Sequence, residues 1–388
     1  MKKFLILSLV TCFVLGLVGC GGTDTSPATT TSSITHPLGT DSYPRIASWL
    51  AKKDEIIASG KPYDLVMSGW FTPEEASSIR KNSPDVLLLA GLSINWVWDN
   101  TEWMTFLTNV ASYGKPEALA VTEDMYLKKP DGSRCAFGWA SETWQHEEIY
   151  AMDPRNQDWI ELITSFYKNV LDQPQHDGII VDMVTKVSWC PESISDREWV
   201  EATKAILSRI QQLNTEDKLV IFNSGRDFLE IEPYREFLDG YVMENFMGTQ
   251  LDVGFEEGLE AARSSGLIVI YAVDTDDTGK QDMNKMRLGL VLSLLSDRAF
   301  FTYDFGPRDH GQAWWFKEYD VDLGKPIGEY YRVGDSYYRD FENGVVVASP
   351  NKATVVALKK EYTDITSGAT SSSFHINDGD GRIFIKVK

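Results

Sequence analysis

The sequence predicts a (β/α)8 TIM barrel, an α/β fold, followed by a small C-terminal antiparallel β domain. Short apolar runs alternate with helix-like segments over roughly 260 residues, which is typical of parallel strands joined by helices. Runs such as Ile179-Ile180-Val181 and Leu267-Ile268-Val269-Ile270 are continuously apolar, as expected for parallel strands buried on both faces. Eight such units favour a closed barrel over an open doubly wound sheet.

Eight apolar runs define the predicted barrel strands. They are Pro44 to Leu50, Asp64 to Gly69, Val86 to Leu92, Gly178 to Asp182, Leu219 to Asn223, Gly240 to Asn245, Leu267 to Val273 and Ala299 to Tyr303. A helix is predicted over Thr72 to Lys81, because Thr-Pro-Glu-Glu is a typical helix start. Another is predicted over Asp196 to Leu213, where apolar residues recur at helical spacing.

The long stretch from Trp96 to Gln175 interrupts this regular alternation. It contains two helix-like segments, Trp103 to Ser112 and Asn156 to Leu171, with the irregular run Tyr126 to His146 between them. We interpret it as an enlarged βα connection that covers the mouth of the barrel.

The chain changes character after Phe341. Apolar runs beginning at Gly344, Ala353 and Arg382 are short and are separated by Gly, Asn, Asp and Ser turns. We therefore assign residues 39–340 to the barrel and residues 341–388 to the β domain.

The N-terminus has the features of a bacterial export signal. Lys2 and Lys3 precede an apolar run from Phe4 to Val18, which is too short for a comfortable membrane span. The ending Leu17-Val18-Gly19-Cys20 resembles the lipobox of bacterial lipoproteins, and this resemblance implies that Cys20 becomes the lipidated first residue of the mature chain. The alternatives are a plain cleaved signal and a retained anchor.

Residues 21–38 are rich in Thr, Ser, Gly and Pro and predict a flexible linker between lipid and domain. We expect a cell-envelope location outside the cytoplasm, with the membrane contacted through the lipid anchor only. Gly21, in place of Asp, resembles the outer-membrane sorting pattern of Gram-negative lipoproteins.

The composition excludes several partners. The formal net charge is −20 and becomes −22 once the leader with its two lysines is removed, so the surface repels nucleic acid phosphates. The sequence contains no CxxC or HExxH spacing and only five scattered histidines, so we expect no metal. We also expect no cofactor, and a monomeric protein.

Two of the four cysteines remain available for pairing in the exported domain. Cys12 leaves with the leader and Cys20 carries lipid, which leaves Cys135 and Cys190. In an oxidising compartment these two form a candidate disulfide, and two separate thiols are the alternative.

Twelve tryptophans are many for 388 residues. Most of them are expected to fill the core, but several lie in predicted loops, where flat rings can stack on sugars. The loop tryptophans are Trp96, Trp98, Trp139, Trp144, Trp314 and Trp315. We selected Trp96 and Trp139 as candidate substrate-binding residues.

Acidic residues end four of the predicted strands, where a barrel carries its active site. These acids are Asp182, Glu244, Asp274 and Asp304, and the polar residues Asn223, Arg226 and Asn245 join them as candidate substrate-binding residues. Glycosidic cleavage needs one protonated acid and one ionised carboxylate, and the residue types match that need. For any single acid, capping of the next helix or pairing with arginine is an equally good interpretation.

Four segments resemble a known family. They are Asp153-Pro-Arg-Asn-Gln-Asp-Trp, Asp177-Gly-Ile-Ile-Val-Asp182, Met243-Glu-Asn and Tyr338-Arg-Asp-Phe-Glu-Asn-Gly. Together, and in this order, they resemble glycosyl hydrolase-like family 15 and, more distantly, the endo-α-1,4-polygalactosaminidase type of barrel. The resemblance spans roughly Pro44 to the C-terminus.

The resemblance implies a glycosidase site in which Asp182, after the fourth strand, holds the nucleophile position and Glu244, after the sixth, the acid/base position. The residues themselves leave open that these roles are exchanged or shared with Asp274, and retaining and inverting outcomes both remain open. We expect a hydrolase of poly- or oligosaccharides. The alternative is a barrel that binds carbohydrate without cleaving it.

Overall fold

The computed structural model describes residues 38, 43–136, 149–223, 225, 231–244, 246, 259–260 and 263–387. Eight parallel strands form one sheet, and they follow one another around it in chain order. They are β1 (Ala47–Ser48), β2 (Leu65–Ser68), β3 (Leu87–Ala90), β6 (Gly178–Val181), β7 (Leu219–Asn223), β8 (Gly240–Met243), β9 (Ile268–Asp274) and β10 (Ala299–Asp304).

The sheet closes on itself. Ile46, just before β1, forms a parallel bridge with Phe301 of β10, and the Phe301 N–H donates to the carbonyl of Arg45 over 3.0 Å. The predicted (β/α)8 barrel is therefore confirmed, and every barrel strand overlaps the run that predicted it.

Alternate side chains of the barrel strands fill two different cores. Ala47, Ile180 and Val242 point into the barrel and belong to one apolar cluster in its interior. Their neighbours, such as Ile179 and Val181, point outward and pack in the larger core under the helices. Because side chains alternate between the two faces of a strand, this alternation determines which residues at the strand ends face the mouth of the barrel.

One glycine permits close packing at the opposite end of the barrel. A Cβ at Gly178 would lie 2.3 Å from the carbonyl oxygen of Leu219 on the neighbouring strand, so a side chain does not fit there.

The helices begin where their capping residues stand. Thr72 forms a capping box with Glu75, and Ser195 forms one with Glu198. The α-helices with described bounds are α1 (Lys53–Ser59), α2 (Pro73–Arg80), α3 (Thr101–Ala111), α4 (Gln157–Leu171), α5 (Asp196–Leu213) and α6 (Met283–Ser293). Short 3₁₀ helices cover Glu123–Met125, Glu232–Phe237 and Lys317–Asp320.

The long connection between β3 and β6 folds as a small layer of its own. It contains α3, α4 and an antiparallel ribbon of β4 (Trp96–Trp98) and β5 (Ile149–Ala151). A disulfide joins Cys135 of this connection to Cys190 of the loop after β6, with the Cα atoms 6.3 Å apart. Both cysteines are buried in an apolar cluster with Trp96 and Trp199.

The C-terminal antiparallel sheet has six strands and begins earlier than the predicted boundary at 341. Its strands are β11 (Tyr331–Val333), β12 (Ser336–Asp340), β13 (Gly344–Ser349), β14 (Thr354–Asp364), β15 (Thr370–Ile376) and β16 (Asp380–Lys386). The boundary at 341 is wrong because Ser336–Asp340 pairs with β13, which makes this segment part of the sheet.

The sheet and the barrel belong to one compact unit, Pro37–Lys388. Asp380 at the start of β16 is fully buried and accepts from Nε and Nη2 of Arg287 on α6, over 2.8 and 3.0 Å. Arg339 of β12 pairs with Asp297, which lies just before β10. These two ion pairs connect the sheet to the last βα unit.

The predicted leader, the lipidation site Cys20 and nearly all of the linker at 21–38 lie outside the described residues. In the part of the chain that is described, no helix has the length and apolar character that crossing a membrane requires.

Candidate active site

Polar side chains converge at the C-terminal mouth of the barrel because they continue its inward-facing rows. Ile180, Val242 and Phe300 line the interior, and the residues two or four positions further along their strands point the same way. The side chains reached in this manner are Trp49, Asp182, Asn223, Glu244, Asp274 and Asp304.

Asp182 follows β6 and is held by two donors. Its Oδ1 accepts from the side-chain amide of Asn223 over 2.8 Å and from the backbone N–H of Met183, also over 2.8 Å. Asn223 is itself fixed, since its Oδ1 accepts from the N–H of Gly225. The Asp182 side chain is only partly buried, so a ligand in the mouth can reach it.

Glu244 follows β8 and is held from the other side of the barrel. Nε1 of Trp49, at the end of β1, donates to Oε1 of Glu244 over 2.8 Å. Nε2 of His310 lies 3.5 Å from the same oxygen. The Glu244 side chain keeps 22% of its surface exposed, whereas Trp49 is fully buried.

His310 lies in the loop after β10, between two carboxylates. Its Nδ1 is 2.9 Å from Oδ2 of Asp304, and its Nε2 faces Glu244. Burial by itself would lower the pKa of His310, but the charge of Asp304, its hydrogen bond and the charge of Glu244 together raise it to about 9. The imidazole is therefore a cation at neutral pH.

The two partly exposed carboxyl groups influence each other. Burial raises the pKa of Asp182, against hydrogen bonds from Asn223 and Met183 that lower it. Burial also raises the pKa of Glu244, the His310 charge opposes this rise, and the Asp182 charge adds to it. Perturbed carboxyl groups that sense one another in a cleft are typical of acid/base sites.

Three residues predicted to bind substrate are instead engaged by the protein. Asn223, Asp274 and Asp304 keep 4%, 2% and 2% of their surface exposed. Asp304 holds His310, Asn223 holds Asp182, and Oδ1 of Asp274 accepts from the N–H of Asp276 and lies 3.8 Å from Nζ of Lys285. These polar atoms hold other residues of the site, and their contact with a substrate stays a prediction.

The predicted role of Trp96 is wrong. This residue lies in β4 and not in a loop, and it is fully buried against Trp199 with ring centroids 5.8 Å apart. Trp98, Trp314 and Trp315 are partly buried. Trp189, which sequence analysis did not select, is 53% exposed in the loop after Asp182 and has a left-handed φ of 57°.

Three of the candidate substrate-binding residues, and one further loop tryptophan, Trp144, cannot be compared with the structure. Arg226, Asn245, Trp139 and Trp144 lie outside the described residues.

Sequence reasoning missed His310 and Trp49, the two residues that contact Glu244. His310 stands six positions after Asp304, within a predicted βα loop, and this was the available signal. Trp49 ends the first predicted strand, but an aromatic residue there gives no hint of its use as a donor.

A cavity of about 410 Å³ lies at the other end of the barrel. Its lining includes Tyr43, Arg45 and Asp297, which precede β1 and β10. The Arg45 guanidinium donates to the Asp297 carbonyl oxygen over 2.8 Å, and Arg339 pairs with the Asp297 carboxylate. These pairings are structural, so we do not place the active site there.

Among the described residues, no group of three or more His, Cys, Asp or Glu side chains is arranged to hold a metal ion.

The family model described as "Hypothetical glycosyl hydrolase family 15" matches residues 105–345, more than half of the chain. The chain belongs to this family. The match covers Asp182, Glu244, Asp304 and His310 of the barrel mouth, whereas Trp49 precedes the matched region. The family that the four sequence segments indicated is thereby confirmed.

The family 15 chain is also similar to solved structures at low identity. One is the glycoside hydrolase domain of PelA from Pseudomonas aeruginosa, with 13% identity, a TM-score of 0.46, and coverage of 69% of this chain and 96% of that one. Another is an alpha-amylase from Geobacillus thermoleovorans, with 10% identity, a TM-score of 0.45, and coverage of 86% of this chain and 90% of that one. A third is the GH36 alpha-galactosidase AgaA from Geobacillus stearothermophilus, with 11% identity, a TM-score of 0.48, and coverage of 89% of this chain and 56% of that one. No curated protein matches the sequence significantly.

Proposed function

We propose that this protein is a glycoside hydrolase that cleaves O-glycosidic bonds of a poly- or oligosaccharide, with Asp182 and Glu244 as its catalytic pair. The observation that carries the proposal is the pairing of two partly exposed, electrostatically coupled carboxyl groups in the mouth of a barrel. Membership of a glycosyl hydrolase family supports the same chemistry.

The surroundings assign different roles to the two carboxyl groups. Burial raises the pKa of Asp182, and its two hydrogen bonds oppose that rise by favouring the ionised form, which suits a nucleophile or a base that activates water. Burial and the charge of Asp182 raise the pKa of Glu244 against the opposing charge of His310, which favours the protonated form and suits the general acid. Glu244 then gives its proton to the glycosidic oxygen as the bond to the anomeric carbon breaks.

Activity on polysaccharides tests the proposal directly. Purified protein should release reducing ends from at least one member of a panel of polysaccharides. Asp182→Asn and Glu244→Gln should each lower that rate by about 10³-fold or more, because each removes a group that takes part in the transition state. Asp335→Asn, which alters an exposed ion pair with Lys352 in the C-terminal sheet, is the matched control. A barrel that only binds carbohydrate would bind a member of the panel and release no reducing ends.

We also propose that lipid on Cys20 holds the enzyme at a bacterial membrane, outside the cytoplasm, with residues 21–38 as the linker. The lipobox-like ending and the composition of the linker support this location. Cys20→Ser should move the protein from the membrane fraction to the soluble fraction and abolish labelling by radioactive palmitate. Unchanged membrane association and labelling would contradict it.

A further inference from the structure

Resting on the proposed hydrolase function, we propose that Asp304 and His310 are a positioning pair for Glu244. The imidazolium held by Asp304 fixes one oxygen of Glu244 and offsets the charge of Asp182, which lets Glu244 both release and regain the proton of glycosidic cleavage. Neither residue contacts the substrate in this proposal.

The His310 ring is held in place by its own loop. The carbonyl oxygen of Gly311 accepts from the N–H of Lys52 over 3.1 Å, which attaches the loop to the segment after β1. Gly311 has a φ of 87°, and a Cβ there would lie 2.3 Å from the carbonyl oxygen of Leu50. Only glycine permits this approach, so the backbone beside His310 is closely fitted to the barrel.

The hydrogen bond to Asp304 determines which nitrogen faces Glu244. Nδ1 of His310 lies 2.9 Å from Oδ2 of Asp304, and the side chain of Asp304 is almost fully buried. The N–H of Gly311 also points to Oδ2, over 3.4 Å. Nε2 is thereby directed at Oε1 of Glu244.

The charges around the imidazole come from four strands. Asp304 follows from β10, Glu244 from β8 and Asp274 from β9, and each of these carboxylates raises the pKa of His310. Asp182 at the end of β6 also senses the His310 charge. The side chain from β1 is the neutral Trp49, whose ring centroid is 6.2 Å from that of His310. The His310 cation thus lies among four carboxyl groups, of which Asp274 also has Lys285 at 3.8 Å, and its loss would strengthen the repulsion among the other three.

Among the described residues, the two side chains that contact the Glu244 carboxyl group use the same oxygen. Trp49 donates to Oε1, and His310 faces Oε1. The transferable proton is therefore carried by Oε2. It moves to the leaving oxygen when the glycosidic bond breaks, and Glu244 recovers a proton from the water whose oxygen forms the new bond at the end of the cycle.

The first test measures His310 without any substrate. The protein is labelled at histidine Cε1 and titrated by NMR, and the His310 signal is identified by its loss in His310→Gln. It should stay protonated to about pH 9 in the unmodified protein and titrate at least 1 pH unit lower in Asp304→Asn. His375→Gln, which alters an exposed histidine of β15, should leave the His310 titration unchanged.

The second test measures catalysis on a polysaccharide that the unmodified protein cleaves. Removal of the cation in His310→Gln should move both limbs of the pH profile of kcat/KM upward by about 1 unit, because the pKa values of Asp182 and Glu244 both rise. Asp304→Asn should produce a shift in the same direction. His375→Gln should keep the profile of the unmodified protein.

The outcomes separate the pair from the proposed function. A His310 signal that titrates near pH 6.5 in the unmodified protein, or that ignores Asp304→Asn, overturns the pair even if the enzyme is active. A lower rate with an unmoved pH profile also overturns it, since that is the signature of a structural role alone. Failure to cleave any polysaccharide overturns the hydrolase, while the NMR titration still decides whether the pair exists.

Discussion

At the residue scale, the behaviour of the barrel mouth depends on which donor faces which carboxyl group. Asn223 and the backbone N–H of Met183 donate hydrogen bonds to Asp182. Trp49 donates to Glu244, and His310 lies beside the same carboxyl group. Hydrogen bonds to a carboxylate favour its ionised form, and burial opposes this. The two acids therefore have different surroundings, which is the condition for one to act as an acid and the other as a nucleophile or base.

The raised pKa of His310 predicts how the stability of the fold changes with pH. Because the pKa is about 9 in the folded protein and about 6.5 in an unfolded chain, the folded protein holds the proton more tightly. The stabilisation is complete below pH 6.5 and is lost as the pH rises through 9, by about 3 kcal/mol.

Urea unfolding at pH 6, 7.5 and 9.5 measures this effect. The free energy of unfolding should fall more steeply with rising pH for the unmodified protein than for His310→Gln. Parallel pH dependence of the two proteins would contradict the prediction.

At the element scale, the loop after β6 is held firmly although it lies at the mouth of the barrel. Cys190 is bonded to Cys135, and the buried Ser188 accepts from the Cys190 N–H and donates to the carbonyl of Ile194. Met183 at the start of the loop has a left-handed φ of 52°. Residues in this conformation persist when their surroundings fix them, and here they flank Asp182.

The disulfide should contribute substantially to stability. It closes a segment with a sequence separation of 55, and a loop of that size predicts a loss of about 2 to 4 kcal/mol when both cysteines are replaced by serine. Thermal unfolding should show a lower Tm for the double variant Cys135→Ser, Cys190→Ser. Reductant should lower the Tm of the unmodified protein and leave that of the variant unchanged, and a variant as stable as the parent would refute the contribution.

At the scale of the whole molecule, the C-terminal sheet is attached to the barrel by buried charge. Arg287 on α6 is 8% exposed and Asp380 is fully buried, and Arg382 adds a second guanidinium to the same carboxylate. Gly381 lies against this helix, since a Cβ there would be 2.6 Å from the carbonyl oxygen of Arg287. The sheet therefore completes the burial of α6.

Breaking this attachment should destabilise the molecule strongly. Asp380→Ala leaves the Arg287 guanidinium buried without its carboxylate, which predicts a loss of about 3 to 5 kcal/mol in the free energy of unfolding. Denaturant unfolding of Asp380→Ala, compared with the exposed control Asp378→Ala, measures it. Equal stability of the two variants would show that the barrel does not depend on the pair.

The predicted elements were most accurate where the local pattern was strong. All eight barrel strands and helix α5 were located from apolar runs, helical spacing and a capping residue. Strands β12 and β15 were missed because polar residues dominate them, and β11 was missed because it has only three residues. Their pairing partners, not their own composition, make them strands. The same reason placed Trp96 in a loop, although its ribbon pairs it with Ala151.

The sequence by itself determined the barrel, its C-terminal β appendage and the strand-end acids Asp182 and Glu244, because these follow from local periodicity and strand order. Tertiary structure alone decided which groups meet those acids. Closure of β1 against β10 brings Trp49 and His310, 261 residues apart in number, to one oxygen of Glu244. Such contacts depend on which side chains of each strand point into the barrel and on the pairing of the first strand with the last. Neither can be read from the residues next to Trp49 or His310 in the sequence.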